Sequence, residues 1–350
     1  MARRASATDM VLFGGAEEPL LHGGDLDAAR RLFPDAPEPF LDLSTGINPN
    51  PYPLPRLPAD LFSRLPAADA GQALAAIAAR AYGAPSAAHV VAAPGTQILL
   101  PLVAALASPG GAAVLAPTYA ELPRAATLAG HSVRAVRDIA NVGDARLIMI
   151  ANPNNPDGRL HDKEVLLALA EKLRPRGGVV VVDEAFMDVG PSDTSLAADV
   201  SRGNIVVLRS FGKFFGLAGI RLGFALAAPA LTARLSAALG PWPVSGPALA
   251  VGIAALADAA WIETTQRRLA KSAQRLDAIL SGAGLEIVGG TSLFRLARTP
   301  AANALFHRLG RAGILTRVFA EHENWLRFGL PANASQWRRL QAALARPQRR

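Results

Sequence analysis

The chain has 350 residues, 51% of them apolar, a formal net charge of +8 and no cysteine. That length exceeds what one hydrophobic core usually serves, so a large and a smaller domain are expected, and the missing thiols exclude disulfides, thiolate metal sites and thiol nucleophiles together. The six histidines, at 22, 89, 131, 161, 307 and 322, include no pair at ligand spacing, so no metal is expected, and the basic residues are spread along the chain except at Arg338-Arg339 and from Arg346 to Arg350, which describes a solvated surface and no nucleic-acid partner.

The N-terminal stretch is rich in Gly, Pro and acidic residues, with one helical segment near Leu26 to Phe33, and reads as an arm (residues 1–45) packing with the small domain. Arg3-Arg4 precede no apolar run and Glu17-Glu18 follow soon after, so no secretory signal is expected and the chain reads as cytoplasmic. From about residue 73 the elements alternate: helix Ala73 to Tyr82, strand His89 to Ala93, helix Thr96 to Ala107, strand Ala112 to Leu115 and a helix after Tyr119. Strands Val133 to Val136, Leu147 to Ala151, Val179 to Val182 and Ile205 to Leu208 continue the pattern, and such apolar runs mark strands covered on both faces. The uncharged run Val90 to Ala120 is divided by Pro94-Gly95-Thr96-Gln97 and Ser108-Pro109-Gly110-Gly111, so it reads as strand, helix, strand and not as a membrane span. The fold class is α/β: a large domain (46–239) with a mostly parallel, doubly wound sheet. An Ala-rich helical stretch from Leu231 to Leu280, broken between Gly240 and Pro247, leads into a small α+β domain (240–350). Its strands lie near Glu286, Leu293, Ile314 and Trp325, and its helices span Ala302 to Ala312 and Ala334 to Ala345.

Chemistry concentrates where strands end. Lys213 stands in Ser210-Phe-Gly-Lys213-Phe-Phe-Gly-Leu-Ala-Gly-Ile-Arg221-Leu-Gly223, directly after a buried strand, where open α/β sheets place their ligands. A lysine held this tightly suits an amine that must form a Schiff base with an aldehyde, and Ser210 and Arg221 can both serve a phosphate. Asp183 ends the preceding strand in Val179-Val-Val-Val-Asp183-Glu-Ala-Phe186, and Asn155 follows another in Asn152-Pro-Asn-Asn155-Pro-Asp-Gly158. Gly95-Thr96-Gln97 opens a helix, whose unpaired N–H groups attract a phosphate. Arg327 alternates out of the apolar run Trp325-Leu-Arg327-Phe-Gly329.

Together these strings resemble the pyridoxal-phosphate-dependent aminotransferase superfamily of fold type I. The resemblance implies pyridoxal 5'-phosphate as cofactor, held covalently by Lys213. Asp183 is then expected at the pyridine nitrogen, Asn155 at the phenolic oxygen, Tyr119 stacked on the ring, and Gly95, Thr96, Gln97, Ser210 and Arg221 around the phosphate. Arg327 matches the arginine that forks onto a substrate carboxylate, and a homodimer is implied. Two positions depart from the members closest to the histidinol-phosphate aminotransferases: Phe186 and Leu65 stand where those carry tyrosines. The arm, His22-Gly23-Gly24-Asp25 followed by Leu41-Asp-Leu-Ser44-Thr-Gly-Ile-Asn48-Pro49, resembles that of the threonine-phosphate decarboxylases of cobalamin biosynthesis. It implies a small phosphorylated amino acid as substrate, with His22, Gly23, Gly24, Ser44, Asn48 and Arg159 as candidates to hold its phosphate. A histidinol-phosphate-type aminotransferase and a non-catalytic scaffold for cobalamin assembly remain the alternatives. The regulator branch needs an N-terminal DNA-binding domain, for which the short arm leaves no room.

Overall fold

The computed structural model describes residues 23–345; His22 and the tail Arg346 to Arg350 lie outside the described residues. Its strands are β1 (Leu41–Asp42), β2 (Val90–Ala93), β3 (Gly111–Leu115), β4 (Ser132–Val136), β5 (Leu147–Ala151), β6 (Val179–Asp183), β7 (Ile205–Ser210), β8 (Gly223–Ala227), β9 (Glu286–Thr291), β10 (Phe294–Arg298), β11 (Ile314–Leu315), β12 (Arg317–Val318) and β13 (Trp325–Gly329). Its helices are α1 (Leu26–Leu32), α2 (Asp60–Ser63), α3 (Ala68–Tyr82), α4 (Thr96–Ala104), α5 (Glu121–Leu128), α6 (Lys163–Leu173), α7 (Phe211–Phe214), α8 (Pro229–Leu239), α9 (Gly246–Ala257), α10 (Ala259–Gly282), α11 (Ala302–Arg311) and α12 (Ala334–Leu344).

Among the described residues, seven strands form one sheet in the order β2-β8-β7-β6-β5-β3-β4. The run β4-β3-β5-β6-β7 is parallel, and β8 is antiparallel to both β7 and β2. The apolar runs of β5, β6 and β7 are buried at every position, as strands covered on both faces must be. Because β2, β3, β5, β6 and β7 point the same way, their C-terminal ends and following loops share one edge of the sheet. Gly95, Tyr119, Asn155, Asp183 and Ser210 all sit on it.

The smaller sheet is antiparallel, in the order β12-β13-β10-β9. The N-terminal segment joins this half of the molecule: β1 pairs in parallel with β11, and Gly329 N–H donates to the Leu43 carbonyl at 2.7 Å. Under the lysine turn α7, Phe211 stacks on Phe215 at 4.4 Å and Phe215 on Trp261 at 5.6 Å, anchoring the turn to the start of α10.

Several elements went unread in the sequence, among them β8, which begins at the last glycine of the lysine string, the two-residue β12, and α6, which buries Leu166, Leu169, Ala170 and Leu173 at helical spacing. The long helical stretch also breaks at Asp258, whose carboxylate caps α10 by accepting from Trp261 N–H at 3.0 Å. No single described helix is long and apolar enough to cross a membrane.

Candidate active site

A cavity of ≈ 210 Å³ opens at the shared strand edge, lined among others by Gly23, Gly95, Thr96, Gln97, Tyr119, Asn155, Asp183, Ser210, Lys213, Arg221 and Arg327. Every cofactor residue read from the sequence therefore meets in one place. At one end α4 presents its first-turn N–H groups, with Gly95 at φ 87° as its N-cap. A Cβ on Gly95 would stand 2.5 Å from Arg221 Nη2, and one on Gly223 2.6 Å from the Thr96 nitrogen, so this end closes only around glycines. Arg221 itself adopts φ 53°, a conformation costly for a side-chain-bearing residue and one that occurs most often at functional sites. Of the glycines in the lysine string, Gly216 alone takes a positive φ, and Gly219 faces open space.

At the other end Lys213 faces Asp183, with its amine 6.0 Å from the centre of the Phe186 ring. Burial lowers the Lys213 pKa to about 8, helped by the charges of Arg327 and Arg221 and opposed by Asp183. Asp183 is raised to about 6, chiefly by burial; the Ala185 N–H at 3.1 Å and Lys213 pull the other way. The pair thus holds an amine close to its reactive neutral form and a carboxylate awaiting a cationic partner.

Arg327, 6% exposed, is held by neutral acceptors: Nη1 donates to Asn155 Oδ1, and Nη2 donates to the Ser44 carbonyl at 2.7 Å. Nε is buried without a hydrogen-bond partner among the described residues. Burial, then Arg317, push its pKa down to about 9, which leaves it a cation at neutral pH. Such a guanidinium gains from a bidentate carboxylate. Because Asn155 Oδ1 accepts from Arg327, the amide nitrogen is turned the other way, as a donor.

Tyr119 donates its hydroxyl to Gln97 Oε1 at 3.0 Å. Burial, with Glu121 and Asp183 adding to it, raises its pKa to about 12, so the phenol stays neutral.

The substrate candidates divide. Gly23 lines the cavity, while Gly24 N–H donates to Ser44 Oγ at 2.8 Å and Ser44 Oγ donates to Asp42 at 2.6 Å, so Ser44 reaches the site through its carbonyl. Asn48 braces the lysine turn: its N–H donates to the Lys213 carbonyl and its Nδ2 to the Phe214 carbonyl, both at 2.9 Å. Arg159 does not line the cavity; its Nε and Nη2 are buried elsewhere in the Asn155 loop. Arg317 went unread. It is the direct cross-strand partner of Arg327 and depresses the Arg327 pKa, while burial lowers its own, with Tyr119 opposing. Only strand register brings the two arginines together, and β12 is too short to announce itself.

Behind this layer, Arg209 pairs with Glu184 and Asp188, each at 3.0 Å, and its guanidinium lies 4.4 Å from the centre of the Tyr82 ring. Burial works against the Arg209 charge, but Asp188 and Glu184 outweigh it and hold the pKa up. Glu184 and Arg209 directly neighbour Asp183 and Ser210, so this buried network fixes the two strand ends from the opposite face.

The Aminotransferase class I and II model matches residues 63–344. The chain belongs to this family. Curated relatives include a threonine-phosphate decarboxylase of Pseudomonas aeruginosa, 42% identical over 93% of this chain and 97% of the relative. Another, from Sinorhizobium sp, is 42% identical over 94% of this chain and 98% of the relative. Among solved structures, a histidinol-phosphate aminotransferase from Sinorhizobium meliloti in complex with pyridoxal-5'-phosphate superposes with a TM-score of 0.77 at 22% identity, over 98% of this chain and 97% of that one, a likeness of fold. Pyridoxal 5'-phosphate is the cofactor of the family, and the donor set here fits it: an amine for an aldehyde, a carboxylate for a ring nitrogen, and N–H groups, a hydroxyl and a guanidinium around a glycine cradle for a phosphate.

The lowered Lys213 pKa makes a prediction. Only the neutral amine attacks an aldehyde, so capture of pyridoxal phosphate by the cofactor-free chain rises about tenfold per pH unit below pH about 8 and levels off above it. Stopped-flow absorbance across pH 6 to roughly 10 measures this; a rate that keeps climbing toward the ordinary lysine range contradicts the buried-amine geometry.

Proposed function

We propose that the chain decarboxylates L-threonine O-3-phosphate to (R)-1-amino-2-propanol O-2-phosphate and carbon dioxide, serving cobalamin biosynthesis. The observation that carries this reading is a buried arginine, held among the described residues by neutral acceptors, facing the lysine across the cavity. The 42% identity to proteins named threonine-phosphate decarboxylase supports it.

Bound in the cavity, pyridoxal phosphate supplies a sink for the electron pair left at the substrate Cα when a bond there breaks. Asp183 keeps the ring nitrogen protonated, and a cation there draws its own pKa back toward the ordinary carboxylate range. Asn155 donates its amide N–H toward the phenolic oxygen, and Tyr119 supplies an aromatic face. Arg327 takes the substrate carboxylate in a two-bond fork, giving up Asn155 Oδ1 and the Ser44 carbonyl to do so. By fixing the substrate carboxylate, Arg327 would select which Cα bond breaks. Arg317, its cross-strand neighbour, adds a second positive charge beside Arg327. Lys213 would deliver a proton to Cα in the place that carbon dioxide leaves. A pKa near 8 suits an amine that gives and takes protons near neutrality.

The reading includes a cytoplasmic homodimer, with residues 46–239 as the cofactor domain, 240–350 as the small domain and the arm packed on the latter. Pairing of β1 with β11 supports the placement of the arm. Leu54, Phe62, Leu65 and Trp242 are all more than half exposed, and Leu61's carbonyl abuts Gly246, bringing their two segments side by side as an apolar face suited to a second copy.

Incubating the holoenzyme with threonine phosphate and no 2-oxo acid is expected to release carbon dioxide. Turnover of histidinol phosphate that depends on an oxo-acid acceptor, without carbon dioxide from threonine phosphate, overturns the reading. Absence of any borohydride-stable link between cofactor and Lys213 overturns the enzyme itself.

A further inference from the structure

Glu121 lies outside the cavity lining, yet it is 8% exposed at the start of α5 and, among the described residues, accepts two charge-assisted hydrogen bonds. Gln97 Nε2 donates to Glu121 Oε2 at 2.6 Å, and Arg124 Nη1 donates to the same oxygen at 2.9 Å. A carboxylate only accepts, so it decides which way round the Gln97 amide sits: nitrogen toward Glu121, oxygen toward Tyr119. That orientation obliges the Tyr119 hydroxyl to be the donor, as its 3.0 Å bond to Gln97 Oε1 records. Gln97 belongs to the first turn of α4, whose N-terminus lines the phosphate end of the cavity, and Tyr119 lines the cavity just ahead of α5. One amide therefore braces the anion cup against the aromatic wall, and Glu121 orients the brace. The raised pKa of Tyr119 agrees, because a phenol that must donate cannot ionise.

We propose that Glu121 is a positioning residue: by orienting the Gln97 amide it holds the Tyr119 ring in register with the α4 phosphate cup, and so sets the pose and affinity of the cofactor. The proposal rests on the pyridoxal phosphate reading above. Were the carboxylate removed, the amide could turn its nitrogen to Tyr119, whose hydroxyl would then accept, and the ring would lose its fixed acceptor. A Gln at 121 still offers an amide oxygen to Gln97, so shape and acceptor survive while the charge goes. Arg124 is mostly exposed, so its lost pairing matters little.

The test uses Glu121→Leu, Glu121→Gln, Gln97→Leu and the Glu121→Leu/Gln97→Leu double variant in the full chain. It reads the pyridoxal phosphate dissociation constant, the visible circular dichroism of the bound cofactor and the melting temperature of the cofactor-free chain. Glu121→Leu and Gln97→Leu each weaken cofactor binding about tenfold and shrink the dichroic band, the double variant adds less than about threefold to either, and Glu121→Gln stays within about threefold of wild type. Should Glu121→Leu not fold, Gln97→Leu carries the same expectation alone. Wild-type affinity and dichroism in Gln97→Leu, additive losses in the double variant, or a Glu121→Gln loss as large as that of Glu121→Leu each overturn the proposal. A wild-type chain that binds no pyridoxal phosphate refutes the cofactor reading and this inference with it.

Discussion

Replacing Lys213 with alanine lowers turnover of threonine phosphate by roughly 10⁴-fold, the upper end for a positioned proton-transfer group, and removes the borohydride-stable link. The same change does not destabilise the cofactor-free chain at neutral pH. With its folded pKa depressed to about 8, below the ordinary lysine value, the amine binds protons more readily in the unfolded chain between about pH 8 and the unfolded value of about 10.4. Stability contributed by this group therefore rises with pH across that window, and below it the buried charge is a standing cost. Lys213→Ala is expected to match or exceed the wild-type melting temperature at pH 7 while losing the chemistry. Retained activity, or a collapse in melting temperature alongside the loss, would show that Lys213 supports structure and not the reaction. Exogenous small amines, which can carry the missing proton, are expected to restore part of the rate.

Arg327→Leu produces the second large effect. A forked, charge-assisted contact to a buried carboxylate accounts for about 2–5 kcal/mol when one partner is removed, so kcat/KM falls about 30- to 5,000-fold. The loss reaches beyond binding. Arg327 also holds the Asn155 amide and the Ser44 carbonyl, so its removal frees Asn155 to flip and loosens the segment that carries β1. Arg327→Lys is not a mild change, since an ammonium cannot reproduce the fork, and it falls close to Arg327→Leu. Steady-state kinetics on both variants, with cofactor saturation checked spectroscopically, separates lost substrate contacts from lost cofactor. Equal kcat/KM in wild type and Arg327→Leu would remove this arginine from the carboxylate site.

Most of the site was legible because its residues follow buried apolar runs. Asp183, Asn155, Ser210, Gly95 and Tyr119 each sit where a parallel strand ends, and runs such as Val179–Val182 announce those ends plainly. Arg327 was legible for a different reason: a lone cation in an apolar strand stands out by alternation. Arg317 was not, since its two-residue strand has no period and its relation to Arg327 exists only in the register. The Gln97–Glu121 contact joins the starts of two helices across a gap that no local pattern spans. Adjacency alone does not bring Asn48 or Arg159 into the cavity lining: the Asn48 side chain braces the lysine turn, and Arg159 lies outside the lining. The antiparallel β8 escaped because the glycines before it mark a loop, and nothing in a short apolar run tells which way it crosses the sheet.

The most direct test of the account is the reaction of the holoenzyme with threonine phosphate in deuterium oxide, without any oxo acid, followed by mass spectrometry and NMR of the product. One carbon dioxide per product and a single deuterium at the carbon that bore the carboxylate are predicted, since the carboxylate leaves and Lys213 delivers one solvent-derived proton in its place. Retention of the carboxylate, with deuterium exchanged at Cα or amine lost to an acceptor, would contradict it.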